Sequence, residues 1–499
     1  MTPSETLILA AYFFVLIVLA IYGWHRYYLV YLYMRNRGNG AKPGPALDPL
    51  PVVTIQLPLY NEMYVADRLI EAVCRIEYPR EKLEIQVLDD STDETRGIAE
   101  LAVRRFATEG VDIKYLHRTD RRGFKAGALE AGLQTARGEF IAIFDADFIP
   151  SSDFLTRLMP HFSDAKVAMV QARWGHINQD YSLLTKIQSI LLDGHFVLEH
   201  GGRHRSGRFF NFNGTAGIWR RVAIDDGGGW QHDTLTEDLD LSYRTQLRGW
   251  RFVFVSDVIA PAEVPVEMNA FKSQQFRWAK GSIQTCRKLL PRILRADLPL
   301  GVKAEAFFHL TANFNYPFMC VLSVLMFPAM VIRYNMGWYE MLLIDVPLFF
   351  AATFSVCNFY MVCQREIHTD WRTRIKYLPF LMSIGIGLSI NNTRAVIEAL
   401  FNKQSEFTRT PKYHIERDSD EWVGKKYRQS VAVQPLIELA LGLYFTSTVF
   451  YAIANQIYGT VPFLVLFQIG FLYTGLLSIV QQYAGDSNVV AAGLQKVGS

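Results

Sequence analysis

Two acidic clusters carry the residue types best suited to chemistry in this sequence: Asp89-Asp90-Ser91-Thr92-Asp93 and Asp145-Ala146-Asp147. Each follows a short apolar run, and carboxylates at i and i+2 on extended backbone point the same way. Like charges so placed repel, and a divalent cation relieves the repulsion. Hard oxygen ligands favour Mg2+ or Mn2+, ordinarily shared with the phosphates of a bound substrate. An Asp at a strand end can instead cap the next helix. Two such clusters at neighbouring strand ends favour the cation. Lys125, in Arg121-Arg122-Gly123-Phe124-Lys125, opens a helix near the same edge, and both an ammonium and a helix amino terminus suit a diphosphate.

Further along, Thr234 and Glu237 have the spacing of a capping box and predict a helix start there. The chemical reading of Glu237-Asp238 is a carboxylate base, and local pattern does not choose between the two. Gln274-Gln275-Phe276-Arg277-Trp278-Ala279-Lys280 begins a helix that continues through Arg287, Lys288 and Arg292. A basic, aromatic helix of this kind anchors at a membrane interface. In a site, Arg277 would instead grip a diphosphate and Trp278 would offer a flat platform to a sugar ring.

These side chains need a scaffold. Short apolar runs at 52–57, 83–88, 113–116, 140–144 and 167–170 alternate with helical stretches at intervals of ~30 residues, the pattern of a parallel α/β sheet. Ligands of such sheets sit at the carboxyl ends of the strands, where both acidic clusters fall. No Gly-x-Gly-x-x-Gly follows the first run, so a dinucleotide site has no support.

The flanks are apolar. Of 499 residues 50% are hydrophobic and 20% charged, which excludes a disordered chain, and a net charge of +3 is too small to argue for nucleic acid. Five cysteines, an odd number without C-x-x-C spacing, exclude a disulfide framework or cysteine-ligated zinc and are expected to be reduced and buried. Residues 6–24 hold no charge and are long enough to span a bilayer; with no basic residue before and no small-residue cleavage site after, they do not read as a signal peptide. Arg26, Arg35, Arg37 and Lys42 follow, which places Met1 outside and the centre in the cytosol. Further spans are expected at about 306–332, 341–363, 433–455 and 461–481, five in all. Residues 378–401 have basic residues on both sides and are expected to form an interfacial or re-entrant helix. His309, Asn313 and Asn315 in the second span should face a bundle interior or a polar path, or else bond neighbouring helices.

In this order, Pro58-Leu59-Tyr60-Asn61-Glu62, Asp89-Asp90, Asp145-Ala146-Asp147, Phe212-Asn213-Gly214-Thr215-Ala216, Thr236-Glu237-Asp238 and Gln274-x-x-Arg277-Trp278 resemble the processive family 2 glycosyltransferases. These are the cellulose synthase, cellulose-synthase-like and hyaluronan synthase group, and Asn213 to Arg220 is most similar to the cellulose-synthase-like A and C types, the mannan or glucan synthases. The resemblance implies an α/β glycosyltransferase A-type (Rossmann-like) cytosolic domain with a helical transmembrane domain and interfacial helices. The expected division is a transmembrane helix at 1–30, the glycosyltransferase domain at 31–300 and a transmembrane region at 301–499, the last holding the helix at 378–401 and a gating-type loop at 402–432.

The same resemblance implies residue roles. Tyr60, Glu62 and Asp90 would hold base and ribose, Lys125 and Asp145 would place the diphosphate, and Asp147, with Asp145, would bind Mg2+ or Mn2+. Asp238 would be the general base; Gln274 and Arg277 would contact the diphosphate and Trp278 would stack on the acceptor sugar. Phe212, Asn213, Gly214, Thr215 and Glu237 would lie near the acceptor terminus, with Asn213 where cellulose synthases carry a cysteine. Phe407-Thr408-Arg409-Thr410-Pro411-Lys412 resembles the gating loop, whose Thr410 and Lys412 would reach the donor, although Arg409 replaces a valine. Only 18 residues follow Gln481, so no carboxy-terminal cyclic-dinucleotide sensor is expected.

The implied activity is a membrane-embedded, processive, inverting β-glycosyltransferase. It would build a β-glucan or β-mannan, 1,4-linked, from UDP-glucose or GDP-mannose, and translocate the growing polysaccharide across a plasma or inner membrane. The alternatives are a non-processive enzyme adding one sugar to a lipid and a scaffold with a degenerate transferase domain; intact Asp90, Asp145, Asp147 and Asp238 argue against the second.

Overall fold

The computed structural model describes residues 1–337, 342–404, 409–417, 419–427 and 433–497. Phe407 and Thr408 of the gating-type loop lie outside them. Among the described residues, seven strands form one sheet: β1 (Val53–Leu59), β2 (Leu83–Asp89), β3 (Ile113–His117), β4 (Phe140–Ile143), β5 (Val167–His176), β6 (Gly217–Arg220) and β7 (Arg251–Ala262). Their order is β3-β2-β1-β4-β6-β5-β7, and β6 alone runs against its neighbours. The first five strands are those expected from the apolar runs. Strands β1, β2 and β4 are buried along both faces, as strands covered by helices are, whereas β3 at the sheet edge is buried only at Ile113 and β5 only over Val167 to Ala172. On one face Leu69, Ile70 and Val73 pack on β1 and β2; on the other, Leu129 and Leu133 pack with Trp219 of β6.

One connection in this sheet is made by a buried acid. Glu84 of β2 accepts from Thr54 Oγ1 of β1 at 2.6 Å, from Lys114 Nζ of β3 at 2.5 Å and from the Arg137 amide at 2.8 Å. Burial alone would raise its pKa, but these donors outweigh it and hold the carboxyl below its usual range.

Five helices among the described residues are long and apolar enough to cross a membrane: Pro3–Arg35, Leu300–Asn335, Pro347–Ile367, Gln434–Ala454 and Tyr458–Tyr483. Trp371–Gly387 and Ser389–Leu400 meet that test only together and are bent by 41° at their junction. The five cysteines are free; Cys286 and Cys363 are buried, and Cys74, Cys320 and Cys357 only partly so. His309 packs inward, its Nδ1 2.7 Å from the hydroxyl of Tyr243.

The Met268–Arg295 helix joins the two regions. Its Lys272 Nζ meets Glu438 Oε2 at 2.5 Å and Ser478 Oγ at 2.7 Å, Lys280 Nζ meets Glu398 Oε2 at 2.9 Å, and the Met268 amide donates to Gln481. On its other face it lies so close to Thr236 that a Cβ on Gly281 would sit 2.5 Å from the threonine methyl. Only glycine lets this helix pack on the Thr236-Glu237-Asp238 turn.

Candidate active site

A cavity of about 200 Å3 opens at the carboxyl ends of β1, β2 and β4, beneath the Met268–Arg295 helix and the 409–412 segment. At one end Tyr60, Glu62 and Asp90 line it. Arg118 grips Asp90 with two contacts, Nε to Oδ1 at 2.8 Å and Nη2 to Oδ2 at 2.5 Å, and the Arg121 guanidinium lies 3.3 Å from the Tyr60 ring centre. Burial pushes Glu62 up to about 7 although Arg409 stands 3.4 Å away.

The centre is a mesh of opposite charges. Lys125 Nζ pairs with Asp145 and donates to the Gly214 carbonyl at 2.9 Å. Burial would depress the Lys125 ammonium, but Asp145 and Glu237 outweigh it and hold its pKa above the ordinary value. Lys412 Nζ lies 2.6 Å from Asp147 Oδ2 and also donates to the Glu263 carbonyl. Arg277 Nη2 donates to Thr410 Oγ1 at 2.6 Å, and burial pulls its pKa down to about 10.

Asp238 sits at the first turn of the Glu237–Leu247 helix, where its Oδ1 accepts from the Leu239 amide at 2.8 Å. Burial, then the charge of Glu237, pushes Asp238 up to about 7. Gly214 closes the wall opposite. Its φ is +80°, and a Cβ there would lie 3.1 Å from Asp238 Oδ2 and 3.3 Å from Lys125 Nζ. A left-handed conformation beside a charged pair leaves room for glycine alone.

Asp145 and Asp147 fit a divalent cation: both offer carboxylate oxygens to the cavity, and an ammonium already rests against Asp147. Among the described residues no three His, Cys, Asp or Glu side chains form a metal site. The protein would therefore supply one or two ligands and leave the rest to phosphate and water, as Mg2+ sites do.

The cavity gathers Tyr60, Glu62, Asp90, Lys125, Asp145, Asp147, Asn213, Gly214, Glu237, Asp238, Gln274, Arg277, Trp278, Thr410 and Lys412. Two expected acceptor residues do not reach it. Phe212 is fully buried and packs edge-on against Trp219, and Thr215 is turned inward, its Oγ1 accepting from the Asp145 amide at 2.9 Å. Thr215 thus orients a cavity residue without lining the cavity. The capping box also fails to form: the helix begins at Glu237, so Thr236 takes the cap position and makes no side-chain cap bond.

Sequence reasoning missed Arg118, the partner of Asp90, and His176 and Glu263, which line the cavity from β5 and beyond β7. Arg118 lies just past the carboxyl end of β3, so the sheet-edge rule could have drawn it in.

Residues 51–281 match the family model described as "Glycosyltransferase like family 2". Over 251 residues, 49% of this chain and 43% of the relative, the chain is 45% identical to the probable glucomannan 4-beta-mannosyltransferase 7 of Oryza sativa subsp. japonica. It is 44% identical over 250 residues to glucomannan 4-beta-mannosyltransferase 2 of Arabidopsis thaliana, covering 49% of this chain and 47% of that one. The aligned part of the chain thus spans about half the length of the curated relatives it matches. Among solved structures, the mannosyltransferase PcManGT of Pyrobaculum calidifontis, in complex with GDP-Man and Mn2+, superposes with a TM-score of 0.51 at 20% identity. It covers 78% of this chain and 99% of that chain, a likeness of fold. With the mixed α/β sheet and the acidic clusters at its carboxyl edge, these matches make residues 51–281 a glycosyltransferase-like family 2 domain of glycosyltransferase A-type fold, similar in sequence to the glucomannan 4-beta-mannosyltransferases over about half of the chain.

Proposed function

We propose that this protein is a membrane-embedded inverting mannosyltransferase that builds a β-1,4-linked mannan backbone from GDP-mannose and passes the product into its membrane helices. One observation carries the reading: carboxylates from two distant parts of the chain, Asp145 with Asp147 and Asp238, line a single cavity with the cations Lys125, Arg277 and Lys412. The roof of that cavity is the helix tied to the membrane segments. The choice of donor and linkage draws on the glucomannan 4-beta-mannosyltransferase relatives and on the GDP-Man bound to PcManGT.

In this reading Tyr60, Glu62 and Asp90 hold the nucleoside, and Lys125, Gln274, Arg277, Thr410 and Lys412 hold the diphosphate. Asp147 and Asp145 would hold Mg2+ or Mn2+, which supplies charge neutralisation to the departing diphosphate. Asp238 takes the proton of the acceptor hydroxyl, which attacks the anomeric carbon from the face opposite the diphosphate and inverts its configuration. Trp278 stacks under the acceptor sugar, and the 409–412 segment covers the donor so that water cannot compete. The catalytic domain faces the cytosol, and the bent pair at 371–400 lies at the interface, where Glu398 pairs with Lys280, Arg394 and Lys403.

The test is to incubate purified full-length protein with GDP-mannose, UDP-glucose or UDP-N-acetylglucosamine, each with Mg2+ or Mn2+. Products are then sized and digested with linkage-specific hydrolases. A β-1,4-mannanase-sensitive polymer from GDP-mannose is expected. A glucan alone would overturn the donor assignment, and a single sugar on lipid would overturn polymerisation.

A further inference from the structure

The Leu183–Gly194 helix runs into a π-helical turn, His195–His200, that places two side chains beneath the acceptor wall of the cavity. Such wide turns are uncommon and concentrate at functional sites. His195 Nδ1 lies 2.9 Å from Glu199 Oε2, and His195 Nε2 lies 2.8 Å from Asn213 Nδ2. Burial opposes the charge on Glu199, but Arg203, 3.5 Å away, and His195 outweigh burial and keep the carboxyl far below its usual range.

These contacts fix one arrangement of protons. The Asn213 NH2 that faces Nε2 can only donate, so the imidazole carries its one proton on Nδ1, where the Glu199 carboxylate accepts it. Nε2 then offers a lone pair, and the Asn213 NH2 must be the donor to it. The Asn213 carbonyl oxygen consequently turns away from His195. It is buried and has no hydrogen-bond partner among the described residues, while Asn213 itself lines the cavity beside Gly214 and Asp238. A buried carbonyl without a donor is costly, and a ligand hydroxyl would relieve that cost.

We propose that Glu199 and His195 are positioning residues that hold the Asn213 amide with its oxygen toward the cavity, where it accepts a hydrogen bond from a non-attacking hydroxyl of the acceptor sugar. The proposal rests on the acceptor-side reading of Asn213 given above. It implies that the acceptor is recognised as a hydroxyl donor at this wall, because the opposite amide orientation would offer only N–H groups.

The test uses the full chain in detergent, GDP-mannose as donor and β-1,4-mannotetraose as soluble acceptor. His195→Phe keeps a ring against Phe196 and His200, whose centres lie 5.3 and 4.4 Å away, but cannot accept from Asn213. It is expected to raise the acceptor KM about tenfold, the size of one lost hydrogen bond, with kcat within about threefold and the donor KM unmoved. His195→Gln, whose side-chain oxygen can still accept, should recover most of the loss, and His195→Leu, which cannot accept, serves as the probe if the phenylalanine variant does not fold. Asn213→Ala should match His195→Phe, and the double variant should be no worse than either. The proposal is overturned if Asn213→Ala raises the acceptor KM while the His195 variant that cannot accept does not, or if the two losses multiply. An acceptor KM unmoved by Asn213→Ala would instead sink the acceptor-side reading, and the proposal with it.

Discussion

The pH dependence of transfer follows from how Asp238 is buried. A general base works only when ionised, so kcat must fall as pH drops through its pKa. Burial and the neighbouring charge of Glu237 push Asp238 up to about 7. With that value the ionised fraction climbs from roughly one tenth at pH 6 to roughly nine tenths at pH 8, and kcat should rise about tenfold across the interval. Glu62, also near 7, could generate the same limb. The two separate through Glu237→Gln. Removing that carboxylate takes away the like charge acting on Asp238, whereas the charges acting most on Glu62 are Arg409, Asp147, Asp145 and Lys412. The variant's limb should therefore move to lower pH. The assay is the initial rate of labelled mannose incorporation at saturating donor, acceptor and metal between pH 5.5 and 8.5. A limb that stays in place in Glu237→Gln would refute Asp238 as its source, and a flat profile would refute the burial argument.

Two further outcomes are expected. Glu84→Ala should destabilise the domain by about 2–4 kcal/mol, because it strands the buried Thr54 hydroxyl and the Arg137 amide and removes the partner of Lys114; a thermal midpoint within a degree of the parent would contradict this. Gly214→Ala should lower kcat at least tenfold while costing about 1–2 kcal/mol of stability, since its Cβ would press on both Asp238 and Lys125 from a left-handed backbone; unchanged kcat would show that both side chains tolerate displacement.

Much of the sheet could be read from the chain because β1 to β5 are short stretches rich in apolar residues, β4 apolar throughout, bounded by turn chemistry, and period and length identify those. The antiparallel β6 was not visible. Its four residues, Gly217 to Arg220, are too few to show a period, and their direction depends on pairing with β4 and β5. Site residues at strand ends or in ordered motifs were found. Those that depend on side-chain direction were not: Phe212 and Thr215 flank the cavity-lining pair Asn213-Gly214 yet point into the core. The capping box does not form because the helix begins at Glu237, which puts Thr236 at the cap position, packed against Gly281 of the helix above it. His195 and Glu199 carry no motif; only the wide turn brings them under Asn213.

The central claim, that Asp238 acts on the acceptor within a donor site built by other residues, meets its most direct test in Asp238→Asn. Donor binding and transfer would be measured on the same purified preparation, by calorimetric titration with GDP-mannose and by labelled polymer formation. The account predicts GDP-mannose affinity within about threefold of the parent and transfer reduced by about 100-fold or more, the usual contribution of a positioned base. Transfer within about tenfold of the parent, or a loss of donor affinity that matches the loss of rate, would contradict it.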